Sequence, residues 1–295
     1  KARLACCDYN DGEEVEGTFC PTPSSVAVRV FEACSLIKGY HERHSDVVSA
    51  FPHAPEVADV FMHAPKEWMD AHGYTRSMGC WRLNQSLYGR RTAGGNFRDF
   101  FEKTVREVKN TDFDRCPEEP CLYRCKLTNV ALLHHVDDEK THGPDEIHDG
   151  VLDEIEKQLL TKRGERMVSG SKDQYLGRTK YRFTTKDSDE ILTMAHSKHV
   201  RKIVSALGLE NAKSSAVPGC KTDTKFTGSE DLLDEAQATL YRSCVGSAIF
   251  LADDRNEIKF ATKKLSQKMA KPTKGAWARL KRLGRFLKGR PNLAR

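Results

Sequence analysis

The chain has 295 residues, 38% of them hydrophobic, with a mean hydropathy of −0.61, enough for two compact domains or one with subdomains, on the polar side of globular. No run approaches the roughly 20 apolar residues of a membrane span, no signal peptide is visible, and a start at Lys1 rather than Met is expected of a piece of something longer. The formal charge of +6 hides an asymmetry: residues 258–295 hold thirteen Lys or Arg and no Asp or Glu, leaving 35 basic against 42 acidic residues in 1–257, a net of −7, and such a basic end favours a polyanion such as a phosphate backbone.

Residues 26–38 have helical spacing, with Gly39 as a C-cap. Asp46–Phe51 reads as a strand whose apolar run stops at Pro52, and 80–88 as a second extended stretch ending near Gly89. Asn96 is predicted to cap a helix through about Val108, with Phe97, Phe100, Phe101, Thr104 and Val108 along one side. Cys116, Cys121 and Cys125 precede His134 and His135, but their gaps do not fit a C-x₂-C zinc pattern, and reduced intracellular thiols are the default reading of all ten cysteines. Residues 121–136 give two strands around Thr128-Asn129. Pro144-Asp145 opens a helix through Leu160, with Ile147, Val151, Ile155 and Leu159 at helical spacing. Residues 174–184 and 190–195 form a hairpin around 186–189, and Ser197 caps a helix to Leu207 that Gly208 closes. Val217-Pro218-Gly219 and the polar stretch to Leu233 read as a linker. The remainder is mainly helical and ends in an amphipathic segment with Trp277, Leu280, Leu283, Phe286 and Leu287 apolar. Helices interleaved with hairpins predict an α+β fold.

The chemistry-bearing feature is the run 130–138, Val-Ala-Leu-Leu-His-His-Val-Asp-Asp, an apolar strand that enters a tight turn on two carboxylates. Rigid backbone would hold Asp137 and Asp138 at a hairpin tip, the geometry needed to clamp two Mg²⁺ ions about 4 Å apart. A third carboxylate is required, and Asp46 is the candidate. An Asp-Asp turn alone says little, because both side chains accept local backbone hydrogen bonds. Asp253-Asp254, which also follows an apolar run, serves as the internal control with no chemistry suggested around it.

Several segments then line up in order: Lys-Ala-Arg-Leu at 1–4, Asp46–Phe51, Ser86-Leu87-Tyr88-Gly89, His135–Asp138, Tyr175-Leu176-Gly177, Tyr241-Arg242 with Val245-Gly246-Ser247, and Arg285–Gly289. Together, over nearly the whole chain, they resemble the reverse transcriptase of copia-type LTR retrotransposons. The resemblance implies a right-hand polymerase fold with fingers and palm, followed by a mainly helical thumb or connection region. The expected division is fingers, palm and start of thumb over 1–216, a linker over 217–233, and a helical basic region over 234–295 leading towards a ribonuclease H domain that this sequence does not include. The implied activity is RNA-directed DNA synthesis: transfer of a nucleotide from a dNTP to a primer 3′-hydroxyl on an RNA or DNA template.

By the same resemblance, Asp46, Asp137 and Asp138 are the catalytic carboxylates and ligands of two Mg²⁺ ions, with Mn²⁺ as an alternative. Phe51 matches the steric gate against ribonucleotides. Lys1 and Arg3 match fingers residues that reach the triphosphate, and Arg suits this because its donor fork fits phosphate oxygens. Tyr88 and Gly89 match the turn under the incoming base. Tyr175, Leu176 and Gly177 match the hairpin that grips the primer, while Lys281, Arg282, Arg285 and Lys288 are the nucleic-acid-binding cations of the last helix. Implied partners are template–primer, dNTP, and the integrase and ribonuclease H of a parent polyprotein, with no membrane. The implied location is intracellular: the cytoplasm, in a virus-like particle, with the nucleus as the alternative.

Departures accompany the match. His135 stands where the family has tyrosine, and Glu139-Lys140 where it has apolar residues, so the return strand of the hairpin is expected to be disrupted. Thr92, Gly94 and Gly95 replace the usual Gln, Pro and Arg, and Asp254-Arg255-Asn256-Glu257 replaces Thr-Arg-Pro-Asp. Two alternatives stay open: a catalytically inactive remnant that keeps only nucleic-acid binding, and an unrelated two-metal nuclease or phosphatase using His134 or His135.

Overall fold

The computed structural model describes residues 4–8, 12, 15–195 and 197–292. The chain divides into two compact units, Lys1–Val168 and Ser169–Arg295, and is α+β as the patterning predicts.

In the first unit, α1 (Ser25–Ile37) starts where the Ser24 hydroxyl accepts the Ala27 N–H at 3.0 Å, and ends at Lys38 and a left-handed Gly39. β1 (Arg43–Val47) stops sooner than its apolar run predicts. Ser49 adopts φ +55°, and Pro52, which has no N–H for a ladder, sits in a 3-10 turn, Phe51–His53. A small excursion follows, with β2 (Phe61–Met62), α2 (Lys66–His72) and β3 (Trp81–Arg82), the last being much shorter than the extended stretch expected over 80–88.

α3 (Ala93–Arg106) begins three residues before the expected cap. Asn96 lies inside the first turn, and its amide donates instead to Ser86 Oγ at 2.9 Å. Within the same first turn a Cβ on Gly95 would sit 1.8 Å from the carbonyl oxygen of Gly17, so the helix can be approached this closely only without a side chain. β4 (Phe113–Arg115), β5 (Leu122–Cys125), β6 (Ala131–His135), β7 (Asp138–His142), α4 (Asp145–Glu156) and β8 (Thr161–Arg166) complete the unit.

The antiparallel sheet runs β4-β5-β6-β7-β1-β8, so the strand with Asp46 lies directly beside the strand that follows the Asp pair. One face packs on α3 and α4 through Val47, Phe97, Phe101, Leu132, Val151 and Ile155. β7 is intact, contrary to the disruption expected from its charged residues. Lys140 is 0% exposed, and its Nζ donates to Glu42 Oε2 at 2.6 Å and to Glu32 Oε1 on α1 at 3.3 Å, while Ser35 Oγ donates to Glu42 Oε1 at 2.6 Å. Charges brought from two other segments substitute for the apolar contacts that the strand lacks.

The second unit has a three-stranded antiparallel sheet, β9 (Lys172–Tyr175), β10 (Arg178–Thr184) and β11 (Asp189–Ala195), and four helices: α5 (Lys198–Ala206), α6 (Glu235–Asp254), α7 (Asn256–Ser266) and α8 (Lys274–Gly289). Its core joins Ile203, Tyr241, Val245, Leu251, Ile258, Leu280 and Leu283. Within residues 217–233 a 3-10 turn, Lys221–Thr224, is tied to α8 by Asp223 and Arg282 at 2.6 Å. Among the described residues no helix is long and apolar enough to cross a membrane.

Candidate active site

β6 is buried along Ala131–His134 and emerges at His135, the Cα partner of Asp138. The turn between them is therefore two residues, Val136 and Asp137. Val136 carries φ +55°, a conformation that a β-branched residue adopts only where its surroundings over-determine it. The hairpin tip expected from sequence is present, with Asp137 exposed in the turn and Asp138 at the start of the return strand.

Asp46, 91 positions before Asp137, is the Cα partner of Asp138 on the adjoining strand, and the Val47 N–H donates to the Asp137 carbonyl at 2.7 Å. Because Val47 and Asp137 form a hydrogen-bonded position, Asp46 and Asp138 form the next, non-hydrogen-bonded one, where side chains on the same face lie closest, with Cβ atoms about 5 Å apart. Two like charges set opposite each other repel, and an imidazole and an ammonium flank them. His44 Nε2 lies 3.2 Å from Asp138 Oδ1, and Lys162 on β8 is the register partner of Asp46. His135, Asp138, Asp46 and Lys162 thus form one row across four strands. Neither His44 nor Lys162 was singled out by sequence; His44 could have been, since two residues before Asp46 on a strand is the same face, whereas Lys162 depends on the register of a strand over a hundred residues later.

Hard carboxylate oxygens suit Mg²⁺, and β1 and the turn bring Asp46 and Asp137 to adjacent strand ends. Asp138 is turned towards His44, and among the described residues no three His, Cys, Asp or Glu side chains converge closely enough to hold a metal ion. Asp46 and Asp137 supply the oxygen donors that a divalent ion prefers, while Asp138 is engaged with His44.

The opposite face of the hairpin is held neutral. Burial, reinforced by Glu156 and opposed by His44, pushes the Glu139 carboxyl up to about 8. Burial, then His135, pushes His134 down to about 3, and its ring stacks on Phe101 at 3.7 Å. His134 and Glu139 are cross-strand partners, so two side chains that would carry charge at the surface are neutral beneath the carboxylate row.

Phe51 is not a strand residue, but it meets Tyr88 with ring centroids 5.0 Å apart, and Phe97 at 6.4 Å. The Tyr88 carbonyl accepts the Cys6 N–H at 2.6 Å. Gly89 follows at φ +88°, where a Cβ would stand 2.1 Å from the Cys6 carbonyl oxygen, so only glycine fits. Lys1 and Arg3 lie outside the described residues.

In the second unit, Leu176 (φ +46°) and Gly177 (φ +73°) form the two-residue turn between β9 and β10. Tyr175 is only 2% exposed and belongs to the core, so Leu176 and Gly177 form the accessible part of this predicted grip. Arg178 Nε and Nη2 reach Asp254 at 2.6 Å and Asp253 at 2.7 Å, and its guanidinium lies 4.8 Å from the Phe250 ring centre. The control carboxylates are thus engaged in anchoring this turn to α6. On α8, Arg282 is paired with Asp223, Lys288 donates to the Ala212 carbonyl at 2.7 Å, Lys281 lies over Trp277, and Arg285 is exposed. Two of the four predicted nucleic-acid contacts therefore already hold the fold together.

Residues 1–221 match a family model described as reverse transcriptase (RNA-dependent DNA polymerase). Two curated relatives from Arabidopsis thaliana, the retrovirus-related Pol polyproteins from transposons RE1 and RE2, are 26% identical over 298 residues and 25% identical over 299, each alignment covering 99% of this chain. The chain spans 19% of the length of each of these relatives. No solved structure matches it.

Proposed function

The chain belongs to the reverse transcriptase (RNA-dependent DNA polymerase) family carried by copia-type retrotransposon Pol polyproteins, and from this premise we propose that it is the polymerase module of such a polyprotein, extending a primer 3′-hydroxyl with dNTPs on an RNA or DNA template. The six-stranded unit would be the palm with part of the fingers, and the helical unit the thumb and connection. The observation that carries the proposal is the register of β1 against β7, which sets Asp46 beside Asp138 and ties Val47 to Asp137.

Asp46 and Asp137 would hold the Mg²⁺ ions, with Mn²⁺ as a substitute, and Asp138 would complete the set. When bound, such ions supply charge neutralisation at the triphosphate and activation of the 3′-hydroxyl. The chain's own residues supply the frame. The strained Val136 turn fixes Asp137, the Phe51–Tyr88 pair offers an aromatic wall for the sugar and base, and Lys162 sets a positive charge beside Asp46 that suits a phosphate oxygen. The 175–177 turn would hold the primer, and the integrase and ribonuclease H of the parent polyprotein would be its neighbours inside a cytoplasmic virus-like particle.

The contact between Asp138 and His44 favours one other reading, a catalytically silent remnant that binds nucleic acid only. Primer extension on poly(rA)/oligo(dT) with Mg²⁺ separates the two. Extension by the parent chain that falls to background in Asp46→Asn and Asp137→Asn supports the polymerase. No extension from a folded, soluble sample that still binds template in a salt-sensitive manner supports the remnant.

A further inference from the structure

α7 buries Ile258, Thr262 and Leu265 and turns Lys259, Phe260, Lys263 and Lys264 outward. Phe260 is 71% exposed. An aromatic ring at such a position gains nothing for the fold, since phenylalanine is a poorer helix former than lysine or glutamate and packing here is slight. The Lys264 Nζ stands 5.7 Å from its ring centre. Beside the ring opens a cavity of about 430 Å³ bounded by Pro218, Lys221, Phe260, Ala261, Lys264 and Arg279. The carboxylate on this wall, Glu257, accepts from Arg255 Nε at 2.7 Å, so the rim is left positive. Lys221, Lys259 and Lys263 have no ion-pair partner among the described residues, and residues 258–295 contain no carboxylate.

We propose that the outer face of α7, with the adjoining cavity, is a stacking platform for single-stranded nucleic acid: one unpaired base lies on Phe260 and the flanking phosphodiesters on Lys221, Lys263 and Lys264. A protruding ring with Lys264 beside it and further lysines on the same helix face and cavity rim matches a base that has a free π-face and a phosphate on either side. A duplex offers no such face along its length, because its bases are already stacked on one another. The helix that carries Phe260, Lys263 and Lys264 lies beyond the residues that the family model covers, and the platform differs from the α8 cations, two of which are engaged within the fold. It rests on the nucleic-acid reading of this chain but not on catalytic competence.

The test is fluorescence anisotropy of the full chain with a labelled oligo(dT) of about 20 nucleotides and with a blunt duplex of equal length. Phe260→Ala is expected to weaken oligo(dT) binding about tenfold, towards the lower end of what one stacked base contributes, and to leave the duplex within about twofold. Phe260→Tyr should restore binding, and the Lys263→Gln/Lys264→Gln pair should flatten the salt dependence by about one to two counterions. Unchanged oligo(dT) binding by Phe260→Ala, or equal losses on both probes, would overturn the platform; circular dichroism checks that the exposed substitution leaves the fold intact. If the parent chain fails to extend primers yet binds oligo(dT) through Phe260, the polymerase reading fails and the platform stands. If extension is robust and Phe260 is silent, the platform alone fails.

Discussion

Lys140 offers the sharpest test of how this chain tolerates charge beneath its candidate active site. The ammonium is fully buried 2.6 Å from Glu42 and 3.3 Å from Glu32. At an effective dielectric of about 20, the first contact is worth about 6 kcal/mol of direct attraction, which desolvation of several kcal/mol per ion largely cancels. The pair therefore adds little net stability while intact, but losing one member strands the other. Burial pulls the Glu42 carboxyl upward, yet the Lys140 charge and hydrogen bonds from Lys140 and Ser35 outweigh it and hold the group below the ordinary glutamate value. Lys140→Met removes that compensation and should cost about 3–5 kcal/mol. Glu42→Gln keeps Glu32 beside the ammonium and should cost less, about 1–2 kcal/mol. The double variant leaves no stranded Glu42 charge and should be more stable than Lys140→Met alone. Hydrogen exchange by mass spectrometry over residues 131–142 reads the change where it arises: Lys140→Met should speed exchange by about two to three and a half powers of ten. Exchange within tenfold of the parent chain, or a double variant no better than Lys140→Met, would refute the reasoning.

Acid should destabilise the first unit through three buried histidines. Burial holds His134 near 3 and His142 and His148 near 4 against an ordinary 6.5, so the unfolded chain takes up protons first and stability is lost as pH falls from about 6.5 towards 4; His134→Phe should blunt this limb in urea titrations. Glu139 acts oppositely. With its folded value near 8 against an ordinary 4.5, stability is lost as pH rises from about 4.5 to 8, and Glu139→Gln should remove that slope. Phe51→Val should relax discrimination against ribonucleotides by at least about tenfold in the ratio of kcat/KM for dNTP and rNTP, and an unchanged ratio would exclude Phe51 as the gate. Arg178→Ala withdraws the shared cation from Asp253 and Asp254, the latter's side chain only 3% exposed, and should cost about 2–5 kcal/mol in denaturant unfolding, with Arg178→Lys intermediate.

Local signals in the sequence were enough for the helix ends at Gly39 and Gly208, the hairpin at Thr128-Asn129 and the tip carrying Asp137-Asp138, because a left-handed turn residue or an apolar run with a polar end acts over a few positions. The ordered motifs sufficed for the family, and the density of Lys and Arg in 258–295 for a basic surface. Boundaries moved where a side chain or the local backbone was used otherwise: Asn96 gives its amide to Ser86 rather than capping α3, and β1 stops early because Ser49 turns the chain.

What the sequence determined by itself was which residue types stand in which order, and so the carboxylates and their family. Only the tertiary structure decided which strands are neighbours. That choice makes Asp46 the partner of Asp138, gives it Lys162 on its other side, turns Lys140 from a disruptive charge into a buried pair with a residue 98 positions away, and engages Asp253 and Asp254 with Arg178. Periodicity reports which side of a strand is apolar, but a charge reads as solvated until its counter-charge is known, and counter-charges here arrive through register and packing across long separations.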